Sequence, residues 1–389
     1  MDSVDFSKYD LNGPPFETYT HEYEMAGRVK EWKALTSAIQ QYFERGGCQF
    51  IILLGPYGQG KSYTVQRVYK KFSEESKEFP PTLVVSTIKG APLRAMEAEA
   101  ASSQFGLDLM RRIFQNIGKD KLHEIAVKAS IQGQMLRIIH KDSKILFSAL
   151  ADEDKCESAF YLLTGEAQRD DTSAIGMGRM INSSERAIKI FYDFLYLIKY
   201  AKYDHMLLLL DEFEYVVGVK SQTQLTKILA TFRSMFDDIG DIYGKTGGAI
   251  ASLVIVFAIT PGSWQFLTDL EKELTKTTGG GGVAPFMQRL RPDSFVNLEI
   301  FSVDDTKEMI KIRLKKHRTV GKKMEDLYPF TDAAIEYIHD FGQRTPRTIL
   351  QIAGVVIEDA IKSGLQKIDE SDVVKILQKY PFPTITQST

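Results

Sequence analysis

The sequence predicts an α/β chain: a parallel sheet with one glycine-rich loop, a long helical insertion, and an all-helical domain at the end. Three observations predict it. Short apolar runs of strand length stand at residues 49–54, 82–87, 205–210 and 251–259. Stretches with apolar residues three and four apart lie between them, so helices join the strands, which therefore run parallel. From residue 306 to 379 the strand pattern is absent.

Each element follows in order. Residues 1–16 are polar, bear Pro and Gly, and read as an extended arm. Trp32, Leu35, Ile39 and Phe43 then recur at helical spacing, and Gly46-Gly47 ends that helix. The strand 49–54 stops at GPYGQGKS, and a helix carrying Val65, Val68, Tyr69 and Phe72 follows. Pro80-Pro81 turns the chain into the second strand. Residues from about 91 to 200 are helical in composition and too long for one connection, so they read as an insertion. The third strand ends at Asp211-Glu212 and, after a helix at 222–236, the fourth ends at Thr260-Pro261. Gly279 to Gly282 reads as a mobile loop. The expected boundaries are an arm 1–26, a sheet domain 27–300, a helical lid domain 301–379 and a tail 380–389, in which Tyr380 and Phe382 either strap the tail to the lid or leave it disordered.

Composition bounds the chemistry. A chain of 389 residues with 43% hydrophobic and 26% charged residues can bury a sizeable core and form two or three domains. A net charge of −2 excludes a histone-like coat, so contact with DNA needs a local patch or oligomerisation. Cys48 and Cys156 are the only cysteines, which excludes a disulfide scaffold and suits a reducing cytoplasm. The opening MDSVDFSKYD has no leader, no apolar run suits a membrane span, and the six histidines show no metal spacing.

Gly55, Gly60, Lys61 and Ser62 match G-x-x-x-x-G-K-[ST]. Backbone N–H groups in such a loop converge on phosphate oxygens at the head of the next helix, because bulky Cβ atoms are absent. Gly55, Pro56, Tyr57, Gly58, Gln59, Gly60, Lys61, Ser62 and Tyr63 thus form a candidate nucleotide-binding stretch. Lys61 would reach the β/γ-phosphates and Ser62 would hold Mg²⁺. Asp211, ending an apolar strand, would hold the Mg²⁺ shell, and Glu212 would polarise water as general base. An Asp there also suits a helix cap. Glu214 reads as structural or as an inter-subunit contact.

Thr260 either orients that water from between the two motif strands or merely caps a strand before proline. Arg289, with Arg291 second, is the candidate arginine finger reaching a neighbouring subunit's γ-phosphate; a local ion pair is the plainer reading. Pro346 suits a first helical turn, which sets Arg347 at a helix N-terminus, where it could fold over the nucleotide or sit on the surface. The basic run 311–323 is either a solvated face, with Ile312 and Leu314 turned inward, or a phosphate-backbone contact.

These elements, in this order, resemble an AAA+ ATPase. PPFETYTHEYEMAGRVKEWKAL resembles the N-terminal box of the initiator/origin-recognition branch, which implies that Gly27 and Arg28 precede a helix beside the adenine. FTDAAIEYIHDFGQRTPRTILQIAGVVIEDAIKSGLQKIDESDVVKIL resembles that branch's helical lid. YLLTGEAQ, FAITPGSW and FMQRLR are similar, more loosely, to the ATP-binding proteins of BREX-type phage-defence systems. The chain departs from initiators in ending soon after the lid, with no winged-helix segment after Leu377, which puts autonomous sequence-specific DNA binding in doubt. The resemblance implies an ATP- and Mg²⁺-dependent ATPase acting as a ring or filament, expected to be a hexamer, on DNA or a DNA-bound partner. The rival expectation is a signalling switch that recruits a protein effector. No Asn-Lys-x-Asp motif favours a GTPase.

Overall fold

The computed structural model describes residues 4–18, 25–73, 79–86, 104–133, 138, 140–219, 221–277, 286–320 and 325–380. The Gly279–Gly282 loop, the end of the basic run at 321–323, and Phe382 lie outside the described residues. The chain divides into two compact units: Ala34–Gly55 with Lys61–Asn297, here the sheet unit, and Met1–Lys33, Pro56–Gly60 and Leu298–Thr389, here the helical unit.

Among the described residues the sheet unit holds five parallel strands: β1 (Cys48–Leu54), β2 (Thr82–Ser86), β3 (His205–Leu210), β4 (Ser252–Ile259) and β5 (Phe295–Asn297). Their order is β2-β3-β4-β1-β5. β4 lies between the two strands that lead into the candidate motifs, with Leu54 opposite Ile259 and Leu210 opposite Phe257. A parallel sheet covered on both faces buries unbroken apolar runs, as the wholly buried SLVIVFAI of β4 shows. The fifth strand escaped the sequence reading. Three residues, of which only Val296 is buried, are too few to display a period.

Six helices fill the described part of the insertion: α3 (Phe105–Ile117), α4 (Lys119–Ile131), α5 (Lys141–Leu150), α6 (Cys156–Thr164), α7 (Arg169–Ala174) and α8 (Ser184–Tyr200), after α1 (Val29–Arg45) and α2 (Lys61–Ser73). Ser183 caps α8 by accepting from the Arg186 amide, and Phe194 of α8 meets Phe114 of α3 edge-on at 5.2 Å. The insertion shares one hydrophobic core with the sheet. Helices α9 (Phe213–Val219), α10 (Gln222–Lys245) and α11 (Pro261–Thr277) complete this unit, and Phe213, Phe232 and Phe257 interlock at 4.9–6.0 Å.

The helical unit packs α12 (Val303–His317), α13 (Asp332–Phe341), α14 (Pro346–Lys362) and α15 (Glu370–Leu377) around Ile310, Ile338, Ile352, Val356 and Val373. Two expectations change here. The start of the chain is not an extended arm: Phe6–Tyr9 forms a 3-10 turn, and Tyr9, Leu11 and Phe16 are buried in this core. The Tyr9 hydroxyl donates to Leu365 O at 2.7 Å. Three apolar anchors in a polar segment carry no periodicity to announce them. Nor is the basic run simply a solvated face. Leu314 is buried, but so is Arg313, which donates to Glu17 O, while Arg318 donates to Tyr9 O and Tyr328 O, and Lys311 pairs with Asp326. These charges tie the chain's first residues to α12. Tyr380 donates to Asp359 at 3.0 Å.

Candidate functional site

In the sheet unit, β1 ends at Gly55, whose amide donates to Ile259 O of β4 at 3.3 Å. Lys61 opens α2, and its ammonium donates to Gly55 O at 2.9 Å and stands 3.5 Å from Glu214 Oε1, with its side chain 8% exposed. Glu214 is thus an internal ion-pair partner of the loop lysine. Its other oxygen, Oε2, is buried without a hydrogen-bond partner among the described residues.

Ser62, next on α2, hydrogen-bonds the carboxylate of Asp211 at the end of β3. Burial pushes the Asp211 carboxyl up to about 6, assisted by the charges of Glu212 and Glu214; the bonds from Ser62 and the Glu212 amide pull the other way. Two stretches 149 positions apart therefore meet at one hydroxyl–carboxylate contact. Glu212 has φ +55°, a left-handed backbone that costs a non-glycine residue on the order of 1–3 kcal/mol. Such strain at the tip of a strand is typical of functional positions. Thr260 follows β4, between β1 and β3 in the sheet; its hydroxyl donates to Ser263 at 3.0 Å in the first turn of α11. Tyr63 is half-buried on α2.

Arg289 does not stand free in the sheet unit. Its guanidinium forks onto Asp237 at 2.8 and 3.1 Å. The buried Glu271 accepts from the Phe286 and Met287 amides and so pins the 3-10 turn Phe286–Arg289. Arg291 is 55% exposed and lies 3.4 Å from Asp293.

In the helical unit lie Pro56, Tyr57, Gly58, Gln59 and Gly60 of the loop. Tyr57 is 63% exposed. Gly58 has φ +77°, and a Cβ there would stand 2.5 Å from Thr345 Cγ2 and 3.7 Å from Arg347 Cβ, so only glycine fits. Arg347 occupies the first turn of α14 behind Pro346, as its sequence context predicts. Gly27 donates its amide to Glu308 at 2.9 Å. Arg28 is 4% exposed and reaches Gln59 O at 3.2 Å and Gln59 Oε1 at 3.0 Å.

The sequence reading missed Glu214 as the partner of Lys61, the tie between Gln59 and Arg28, and the pair Asp237 and Glu271 behind Arg289. The spacing Asp211-x-x-Glu214 at the head of a helix was a usable signal for the first. The others join residues 15 to 52 positions apart, which no local pattern reveals.

Among the described residues no group of three or more His, Cys, Asp or Glu could hold a metal ion by itself, and no helix is long and apolar enough to cross a membrane. Mg²⁺ needs no such cage: one or two protein oxygens beside substrate phosphates suffice, and the Ser62–Asp211 pair is such a donor set.

A five-stranded parallel sheet with a glycine loop after β1 and paired carboxylates after β3, followed by an all-helical C-terminal domain, matches the P-loop α/β fold class that the sequence predicts. No family model matches the chain, and no curated protein does. Among solved structures it is similar to Cdc6p from Pyrobaculum aerophilum, at TM-score 0.48 and 13% identity over 95% of this chain and 71% of that one. The Aeropyrum pernix ORC2 protein, in ADPNP–ADP complexes, aligns at 0.46 and 14% over 96% and 72%. The Thermotoga maritima RuvB Holliday junction branch migration motor aligns at 0.37 and 15% over 91% and 70%. All three scores lie under 0.5.

Proposed function

We propose that this chain is a Mg²⁺-dependent ATP hydrolase of the AAA+ type. The observation that supports the reading is the contact of Ser62 with Asp211, one residue along α2 from the Lys61 ammonium. The loop amides would hold the phosphates and Lys61 their charge, exchanging Glu214 for a γ-oxygen. Mg²⁺ held by Ser62 and Asp211 would neutralise charge on the β/γ-phosphates. Glu212 takes a proton from the attacking water, and Thr260, one strand over, orients that water. Arg347, beside Gly58, reports what the loop holds. Arg289 or Arg291 completes the site of a neighbouring copy; Asp237 already engages the first, so the more exposed Arg291 is the freer to reach out. Phosphate release from ATP by the purified chain, dependent on Mg²⁺ and lost in Glu212→Gln, tests this; hydrolysis equal in the variant refutes it.

The resemblance to initiators supports work on DNA or a DNA-bound partner through a homo-oligomer, and the looser one supports a place in phage defence. Stimulation of turnover by duplex DNA favours the first. Turnover indifferent to DNA but altered by a protein partner favours the effector-recruiting switch. Plating efficiency of phage on cells carrying the chain, against cells carrying Lys61→Ala, tests the defence role.

A further inference from the structure

We propose that Gln59 is a positioning residue that ties the glycine loop to the turn opening α14, and that Arg28 serves this tie rather than a base. Both terminal nitrogens of Arg28 are engaged by protein acceptors. Nη1 donates to Glu31 at 2.8 Å and to Glu299 O, and Nη2 donates to Gln59 O and Oε1. The guanidinium also lies over the Phe301 ring at 4.6 Å. A planar fork 4% exposed and so engaged is a structural clasp.

Gln59 is 3% exposed and works in two directions. Its two oxygens accept from Arg28, and its Nε2 donates to Arg344 O at 3.1 Å. The network fixes the amide's orientation, because the opposite one would set donor against donor and acceptor against acceptor. The turn it reaches is strained: Gln343 and Arg344 both have left-handed backbones, at φ +54° and +57°. Successive left-handed non-glycine residues persist only where their surroundings hold them. Thr345, pressed against Gly58, and the Gln59 bond are two such supports. Pro346 and Arg347 follow at once, so whatever shifts the loop is passed to the first turn of α14.

The tie itself is a property of the folded chain; its effect on nucleotide rests on the function proposed above. The test separates the two. Hydrogen–deuterium exchange is followed in the full, nucleotide-free chain for peptides spanning 55–62 and 340–350. In the second, the Gln343, Arg344 and Thr345 amides are bonded back to Asp340, His339 and Gly342. Gln59→Ala removes both side-chain arms and leaves Arg28 only the main-chain oxygen, so both peptides should exchange about fivefold faster, the worth of one net hydrogen bond. Gln59→Glu keeps an acceptor for Arg28 but turns a carboxylate toward Arg344 O, so only the 340–350 peptide should quicken. This asymmetry separates a tie from general loosening, and unchanged thermal melting keeps the comparison fair. Unaltered 340–350 exchange in both variants overturns the tie whether or not ATP binds. The fivefold change with no Mg-ATP uptake by the parent chain upholds the tie and overturns only the nucleotide reading.

Discussion

Replacing Gly58 by alanine tests the close approach of loop and lid most directly. Two penalties can be worked from the geometry. At φ +77° an L side chain costs about 1–2 kcal/mol. The added methyl would also sit 2.5 Å from Thr345 Cγ2, and relieving such an overlap costs about 1–3 kcal/mol. Gly58→Ala should therefore destabilise the helical unit by about 2–5 kcal/mol. Thr345→Ser removes the offending Cγ2, so in that background the same change should cost only the backbone share of about 1–2 kcal/mol. Trp32 belongs to the helical unit and Trp264 to the sheet unit, and the chain has no other tryptophan. Urea melts of a Trp264→Phe background thus report the helical unit by fluorescence. An equal loss in the Thr345 and Thr345→Ser backgrounds would refute the steric argument, and a loss under about 0.5 kcal/mol, the scatter of surface changes, would refute both parts.

Four further outcomes are expected. Lys61→Ala should weaken Mg-ATP binding by roughly 30-fold or more, since it removes a charge-assisted contact; calorimetry showing unaltered affinity counts against the phosphate loop. Glu212→Gln should slow hydrolysis by about 10²–10⁴ while retaining ATP and stabilising the assembly, as gel filtration with ATP would register. Arg291→Ala should spare nucleotide binding but lose turnover, and in mixtures should depress the activity of intact copies; a defect confined to the mutant's own site, with Arg289→Ala showing the reverse, moves the finger to Arg289. The last outcome concerns pH. His205 stacks on Phe43 at 4.2 Å and bonds Ser252, and burial pushes its pKa down to about 4 from the ordinary 6.5. The fold refuses a proton that the unfolded chain accepts, so the stability present above pH 6.5 is lost as pH falls toward 4, by about 3 kcal/mol in all. His205→Gln should flatten that loss in urea titrations.

Four of the sheet's strands, β1 to β4, the glycine loop and the carboxylates were legible because each is local. An apolar run with a polar stop, or a lysine after glycines, needs no partner to be recognised. β5 and the anchors Tyr9, Leu11 and Phe16 were not, since three residues or scattered aromatics have no period. Arg28 shows the limit more sharply. The resemblance implied that it precedes a helix beside the adenine; its partners Gln59 and Glu299 lie 31 and 271 positions away, and only folding reveals them. Charge was misleading for the same reason: Arg313 and Arg318 look like surface charge in the sequence, and both hold backbone carbonyls.

The placement of β4 between β1 and β3 works as a ruler. Neighbouring strands stand about 4.8 Å apart, so the loop and the acidic pair spring from points about 10 Å from each other. On the function proposed above, that gap is what a phosphoryl group and one incoming water would have to span. Any chain inserted between those strands, or any loss of the middle one, would alter that span while every motif residue stayed in place. Selection at this edge would therefore act on backbone order as strongly as on side chains.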